Sequence, residues 1–172
     1  SGNMLGMLST GFGFGAVVIP RDGSVIAAPE TYFSRGTRGT RTDVVTLYDP
    51  RTLDAAAEIV IPAKRSSNMP MRAAAALTDD DRFLLIYNFT PAQSVTVVDL
   101  HARKFVGEVD TPGCALVYPT GPRSFFSLCG DGTALAVRLD EAGGVGARER
   151  TPPLFDAGQD PVKIGRSTRL NS

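Results

Sequence analysis

The sequence has 172 residues and lacks Trp altogether, carries a single His and two Cys, and has no net charge, its eighteen basic residues matching eighteen acidic ones. A lone His101 excludes a metal centre built on several imidazoles, and no Cys or carboxylate stands at ligand spacing from it. It excludes a Ser- or Cys-based triad as well. Such a nucleophile needs a base beside it, and the one imidazole sits on a turn next to Arg103 and Lys104. The balanced charge, with a pI near 6.5, gives no electrostatic pull toward nucleic acid or an anionic membrane. No apolar run approaches the roughly 20 residues of a membrane span. Helical periodicity is missing too, since the best candidate, Leu53–Ile59 (LDAAAEI), offers one turn at most.

What the sequence does have is punctuation. Eighteen Gly and twelve Pro fall between short Val, Ile, Leu and Phe runs, the pattern of an all-β protein. Asn3–Ser9 reads as a short strand, and Gly11–Gly15 as a glycine-rich lead into the next one. No N-capped helix follows those glycines, so a phosphate loop is not indicated. A first set of four strands is predicted at Ala16–Pro20, Val25–Phe33, Val44–Tyr48 and Glu58–Ile61. A second runs through Ala73–Leu77, Phe83–Phe89, Val95–Asp99 and Lys104–Val109. A third takes in Ala115–Tyr118, Phe125–Cys129, Ala134–Leu139 and a weaker strand near Ala147–Arg150. The third strands, VVTLYDP, VTVVDLH and LAVRLDE, align without gaps at intervals of about 50 and about 41 residues, the spacing of four-stranded propeller blades. Each ends on an aspartate: Asp49, Asp99 or Asp140. A carboxylate there accepts backbone N–H groups of a tight turn, so the three form a repeat and not a catalytic set.

Cys114 and Cys129 flank the turn signal Thr120–Arg123. A hairpin folded about Gly121-Pro122 sets them opposite each other, Cα atoms about 4.5–5.5 Å apart. That geometry suits a disulfide, and with it an oxidising compartment, or two buried thiols on neighbouring strands. Arg35, Arg38 and Arg41 recur at intervals of three in a Gly/Thr-rich loop that ends on Asp43. They fit either a solvated loop with an internal Arg–Asp contact or an interface loop at a propeller rim. Residues 164–172, IGRSTRLNS, break the strand pattern and read like a translated sequencing adapter. They are set aside as a probable non-native tail, leaving a partial propeller over residues 1–163, truncated at both ends.

Four stretches resemble the heavy subunit of the quinone-dependent amine dehydrogenases, the methylamine and aralkylamine dehydrogenases. They are Thr31–Leu53 (TYFSRGTRGTRTDVVTLYDPRTL), Ala57–Pro62 (AEIVIP), Leu84–Phe105 and Asp110–Gly132. The last carries Cys114 and Cys129 at the family's disulfide spacing. The resemblance implies a seven-bladed β-propeller, of which this sequence would hold about three four-stranded blades, near residues 15–62, 71–110 and 114–154. It further implies a periplasmic heterotetramer of two heavy and two light subunits, the light subunit carrying tryptophan tryptophylquinone and the catalytic base. The heavy subunit would be a scaffold that helps wall the amine's channel, and a cupredoxin of the amicyanin or azurin type would receive the electrons. No catalytic, cofactor-binding or metal-binding residue is then expected in this chain, and with no Trp it cannot form that cofactor itself. The family's aromatic gate aligns before Ser1, and Phe12 and Phe14 are read as core residues instead. The resemblance moves Arg35, Arg38 and Arg41 toward an interface role. The competing reading is a periplasmic or surface propeller that binds partners and has no redox role.

Overall fold

Eleven strands in three antiparallel sheets make up the computed structural model, which describes residues 2, 4, 6–13, 15–68 and 71–159. The adapter-like tail at 164–172 lies outside the described residues, as does Phe14. The first sheet holds β1 (Ile26–Phe33), β2 (Arg41–Tyr48) and β3 (Ala55–Ile61) in sequence order. The second holds β4 (Ala75–Leu77), β5 (Phe83–Asn88), β6 (Ser94–Asp99) and β7 (Lys104–Asp110). The third holds β8 (Cys114–Gly121), β9 (Ser124–Cys129), β10 (Ala134–Leu139) and β11 (Val145–Arg150). Three consecutive meanders of this kind are successive blades of a β-propeller. The Ala-rich stretch after Leu53 is strand, because Ile59 and Ile61 turn inward from it to pack with Val45 and Leu47.

Two interfaces hold the sheets together. Val45, Leu47, Ile59 and Ile61 of the first sheet meet Leu84, Ile86 and Val98 of the second. On the opposite face, Phe83, Leu85, Tyr87, Val95 and Val97 meet Val117, Phe125, Val137 and Leu139 of the third. The middle sheet is therefore covered on both sides, which is why β5 and β6 are buried at every position. β10 lies at the end of the stack, and there Ala136 and Arg138 are exposed between buried neighbours.

The structure corrects the four-strand expectation for the first blade. The predicted strand Ala16–Pro20 is reduced to one bridge, Val18 to Ala27. Ala27 exchanges both backbone hydrogen bonds with Val18, and farther along the edge Thr31 O accepts from Phe12 N (2.7 Å). Between them the same edge presents Pro29, which has no N–H to donate. Gly11 and Gly13 adopt positive φ in the facing segment, so the ladder cannot propagate. The segment still follows the inner edge, where a fourth strand would stand. No strand forms at Asn3–Ser9 among the described residues.

Candidate functional site

Up-and-down sheets send their connections alternately to two rims, and here the rims differ in chemistry. One is made of tight turns. Asp49 Oδ1 accepts the amides of Arg51 (2.7 Å) and Thr52 (3.1 Å), and these two amides hold its carboxyl below the usual range. Asp140 Oδ1 does the same for Ala142 (2.8 Å) and Gly144 (2.9 Å). Asp99 Oδ1 accepts Ala102 N (2.8 Å) and its Oδ2 accepts two guanidinium bonds from Arg82. The repeated aspartates are thus turn caps, one on each blade. His101 lies on this rim, exposed in the β6–β7 turn.

The other rim carries the longer connections, and on the first blade they assemble a buried ionic network. Thr31 and Asp43 are cross-strand partners on β1 and β2, and the Thr31 hydroxyl donates to Asp43 Oδ1 (2.9 Å). Arg41 grips the same carboxylate with two bonds, Nε to Oδ1 (2.8 Å) and Nη2 to Oδ2 (2.7 Å), and Nη2 also reaches Arg65 O (2.7 Å). Arg65 N donates to Asp43 Oδ2 (3.1 Å), while Arg65 Nε donates to Thr31 Oγ1 (2.9 Å). Arg65 is only 3% exposed. Burial lowers its pKa, an effect the nearby Asp43 charge opposes.

A second buried carboxylate stands on the opposite face of the same strands. Glu30 accepts Tyr48 Oη at Oε1 (2.7 Å), Tyr32 Oη at Oε2 (2.8 Å), and the Thr46 hydroxyl. Burial, then the bond to Glu30, pushes both phenols above their ordinary pKa. Gly11, at φ +60, lies so close to Glu30 and Thr31 that a Cβ there would come within 2.8 Å of Thr31 O. The N-terminal segment thus packs backbone-first against β1 at Glu30 and Thr31.

The structure divides the three arginines singled out in the sequence. Arg41 belongs to the Asp43 network, whereas Arg35 and Arg38 are exposed on the β1–β2 loop. That loop is pinned by its own backbone: Ser34 N to Thr40 O, Arg35 N to Arg38 O (each 3.0 Å), and Thr40 N to Ser34 Oγ (3.0 Å). Beside it runs a groove of about 470 Å³ lined by Arg41, Arg65, Ser66 to Asn68, Phe89 and Thr90. The groove joins two blades, since Arg65 bridges to Asn88 at the end of β5. The same rim carries the disulfide. Cys114 and Cys129 face each other on β8 and β9 and are bonded, with Cα atoms 3.8 Å apart, closer than the sequence-based expectation. Their amides donate elsewhere, to Thr111 O and Thr133 O, so this is a narrow, non-hydrogen-bonded pair.

Arg65 and Glu30 were not singled out in the sequence. Arg65 sits in an ordinary polar linker, AKRSSN, and its partners Thr31 and Asp43 are far away in the chain. Glu30 had a visible signal, a lone carboxylate inside the strand IAAPETYF. Phe12 is not a core residue; it is partly exposed and stacks edge-on against Phe33 at 5.4 Å.

Consecutive meanders of three and four strands sharing inter-blade cores, with the longer connections on one rim, define a β-propeller protein. The β-propeller domain of Cps50 (Swd1) from Myceliophteria thermophila shares this fold at a TM-score of 0.57 and 19% identity, covering 85% of this chain and 39% of that one. The dihydro-heme d1 dehydrogenase NirN does so at 0.54 and 23%, covering 80% and 27%. The family model of the methylamine dehydrogenase heavy chain matches residues 1–160, and the chain belongs to that family. It is 39% identical over 145 residues to the methylamine dehydrogenase heavy chain of Paracoccus versutus, covering 84% of this chain and 33% of that protein. It is 32% identical over 157 residues to that of Methylophilus methylotrophus, covering 91% and 38%. The chain therefore spans about a third of the length of these relatives.

Proposed function

We propose that this chain is part of the scaffold subunit of an amine dehydrogenase, an enzyme that oxidises primary amines to aldehyde and ammonia. The observation that carries the reading is the family match over residues 1–160 on a β-propeller fold. The chemistry would reside in a light subunit. Tryptophan tryptophylquinone, which accepts the electrons of the amine, would belong to that partner, because these 172 residues contain no Trp. The role of this chain is mechanical: rigid blades hold a rim against the light subunit and help exclude water from the amine's path. We further propose the two-heavy, two-light assembly, a periplasmic location, and a cupredoxin as electron acceptor. The Cys114–Cys129 disulfide supports an oxidising compartment.

The test uses the full-length heavy chain co-expressed with its light chain. Amine-dependent dye reduction is expected from the assembled complex and not from the heavy chain alone. Turnover by the isolated heavy chain would overturn the scaffold reading. A heavy chain that never captures a light chain would support the redox-free binding module.

A further inference from the structure

The first-blade rim is formally unbalanced. Asp43 is already saturated by Arg41, Thr31 and the Arg65 amide, while Arg35 and Arg38 stand exposed on the loop that leads into Arg41. Neither Arg35 nor Arg38 meets a carboxylate among the described residues. The chain as a whole is neutral, so this surplus is a local feature and not a consequence of overall composition.

The groove beside the loop has the other marks of a docking site. Phe89, 49% exposed, forms part of the groove lining with Arg41, Arg65, Ser66 and Ser67. An exposed aromatic beside arginines is the composition enriched at the centre of protein interfaces. The loop is also preorganised. Gly36 (φ +75) and Gly39 (φ +104) allow its tight path, and the Ser34 hydroxyl fills the space where a Gly39 side chain would stand. Holding Arg35 and Arg38 on a fixed loop lowers the ordering cost of binding.

We infer that this groove receives an acidic segment of the light subunit, one apolar side chain of the segment resting against Phe89 and its carboxylates meeting Arg35 and Arg38 on the loop that leads into the groove. The inference rests on the scaffold reading above and adds what the rim recognises. A guanidinium fork suits a carboxylate, donating two parallel hydrogen bonds to its oxygens. Arg65, locked below the surface, supplies a fixed positive charge without having to move.

The test measures association of the full-length heavy chain with its light chain at low and high salt. It uses wild type, Arg35→Glu/Arg38→Glu and Phe89→Ala. Both altered sites are exposed and outside the Asp43 network, and the intact disulfide with an unchanged circular dichroism spectrum checks that each variant folds. Wild-type binding is expected to weaken with salt, because exposed charges are screened. Charge reversal should slow association at least about tenfold at low salt and flatten the salt dependence. Phe89→Ala should speed dissociation by about tenfold or more. Wild-type rates and an unchanged salt slope in the charge-reversed variant would overturn the inference while leaving the scaffold reading intact. Failure of the wild type to bind any light chain would remove the scaffold reading, and this inference with it.

Discussion

Asp43 is fully buried, and every one of its polar contacts comes from a different stretch: β1 through Thr31, the start of β2 through Arg41, and the linker after β3 through Arg65. One carboxylate thus ties the loop rim of the first blade together. Truncating it would leave the Arg65 amide without its acceptor, remove a charge that favours the buried Arg65 guanidinium, and free Arg41 from its bidentate grip. Removing one member of a buried ion pair costs about 3–5 kcal/mol, so Asp43→Ala is expected to lower stability by that amount in urea unfolding. An exposed pair such as Arg123–Glu141 should cost about 1 kcal/mol or less when broken. Equal effects at the two sites would contradict a structural role for the network. Asp43 was visible in the sequence as the end of the arginine loop, but its strongest partners were not. Only the fold brings Arg65 under Thr31, because no local pattern links a linker arginine to a strand threonine.

At the scale of elements, the strands were legible wherever burial wrote itself into the side-chain pattern. FLLIY is a continuous apolar run and VTVV is interrupted only by Thr96, the mark of strands covered on both faces, while burial alternates along ALAVRL because its sheet has only one covered face. The missing inner strand of the first blade was not legible, although Pro29 stood in plain view. Its consequence depends on which edge its nitrogen faces, and that is fixed only by the pairing of β1 with β2. The β8–β9 hairpin carries a comparable surprise. Its register shifts between Ala115 and Tyr118, where Leu116 takes φ +65 and the buried Ser127 hydroxyl satisfies the Leu116 carbonyl (2.6 Å). The disulfide closes this irregular hairpin across 15 residues, and a loop of that length is worth about 3 kcal/mol through the unfolded chain. Cys114→Ser/Cys129→Ser is expected to lose about that much stability, read from the urea midpoint. Without a reductant neither cysteine should take up an alkylating agent, even in urea, since the two sulfurs are bonded to each other. A loss under about 1 kcal/mol would mean the bulge and its serine hold the hairpin unaided.

At the scale of the whole molecule, the two inter-blade cores leave the stack asymmetric. The middle sheet is enclosed, but each terminal sheet turns one face away from its neighbour. On the first sheet that face carries Tyr32 at 42% and Val60 at 65% exposure. On the third it carries the stacked pair Tyr118 and Phe126, with Ala136 and Arg138 exposed beside them. β11 is exposed at all six positions, and its Arg148, Glu149 and Arg150 are the charges that discourage edge-to-edge pairing. A propeller resolves such faces by packing blade against blade around a ring. The described residues offer no such cover, so the 172-residue chain is expected to self-associate at micromolar concentration, with sedimentation showing species heavier than the 18.2 kDa monomer. A monomer that unfolds sharply and reversibly would contradict this. The same logic fixes the control, because a longer chain that supplies a sheet against each terminal face should suppress the association without any change in the charged edge of β11. If it does not, the charged edge and not the open faces governs assembly.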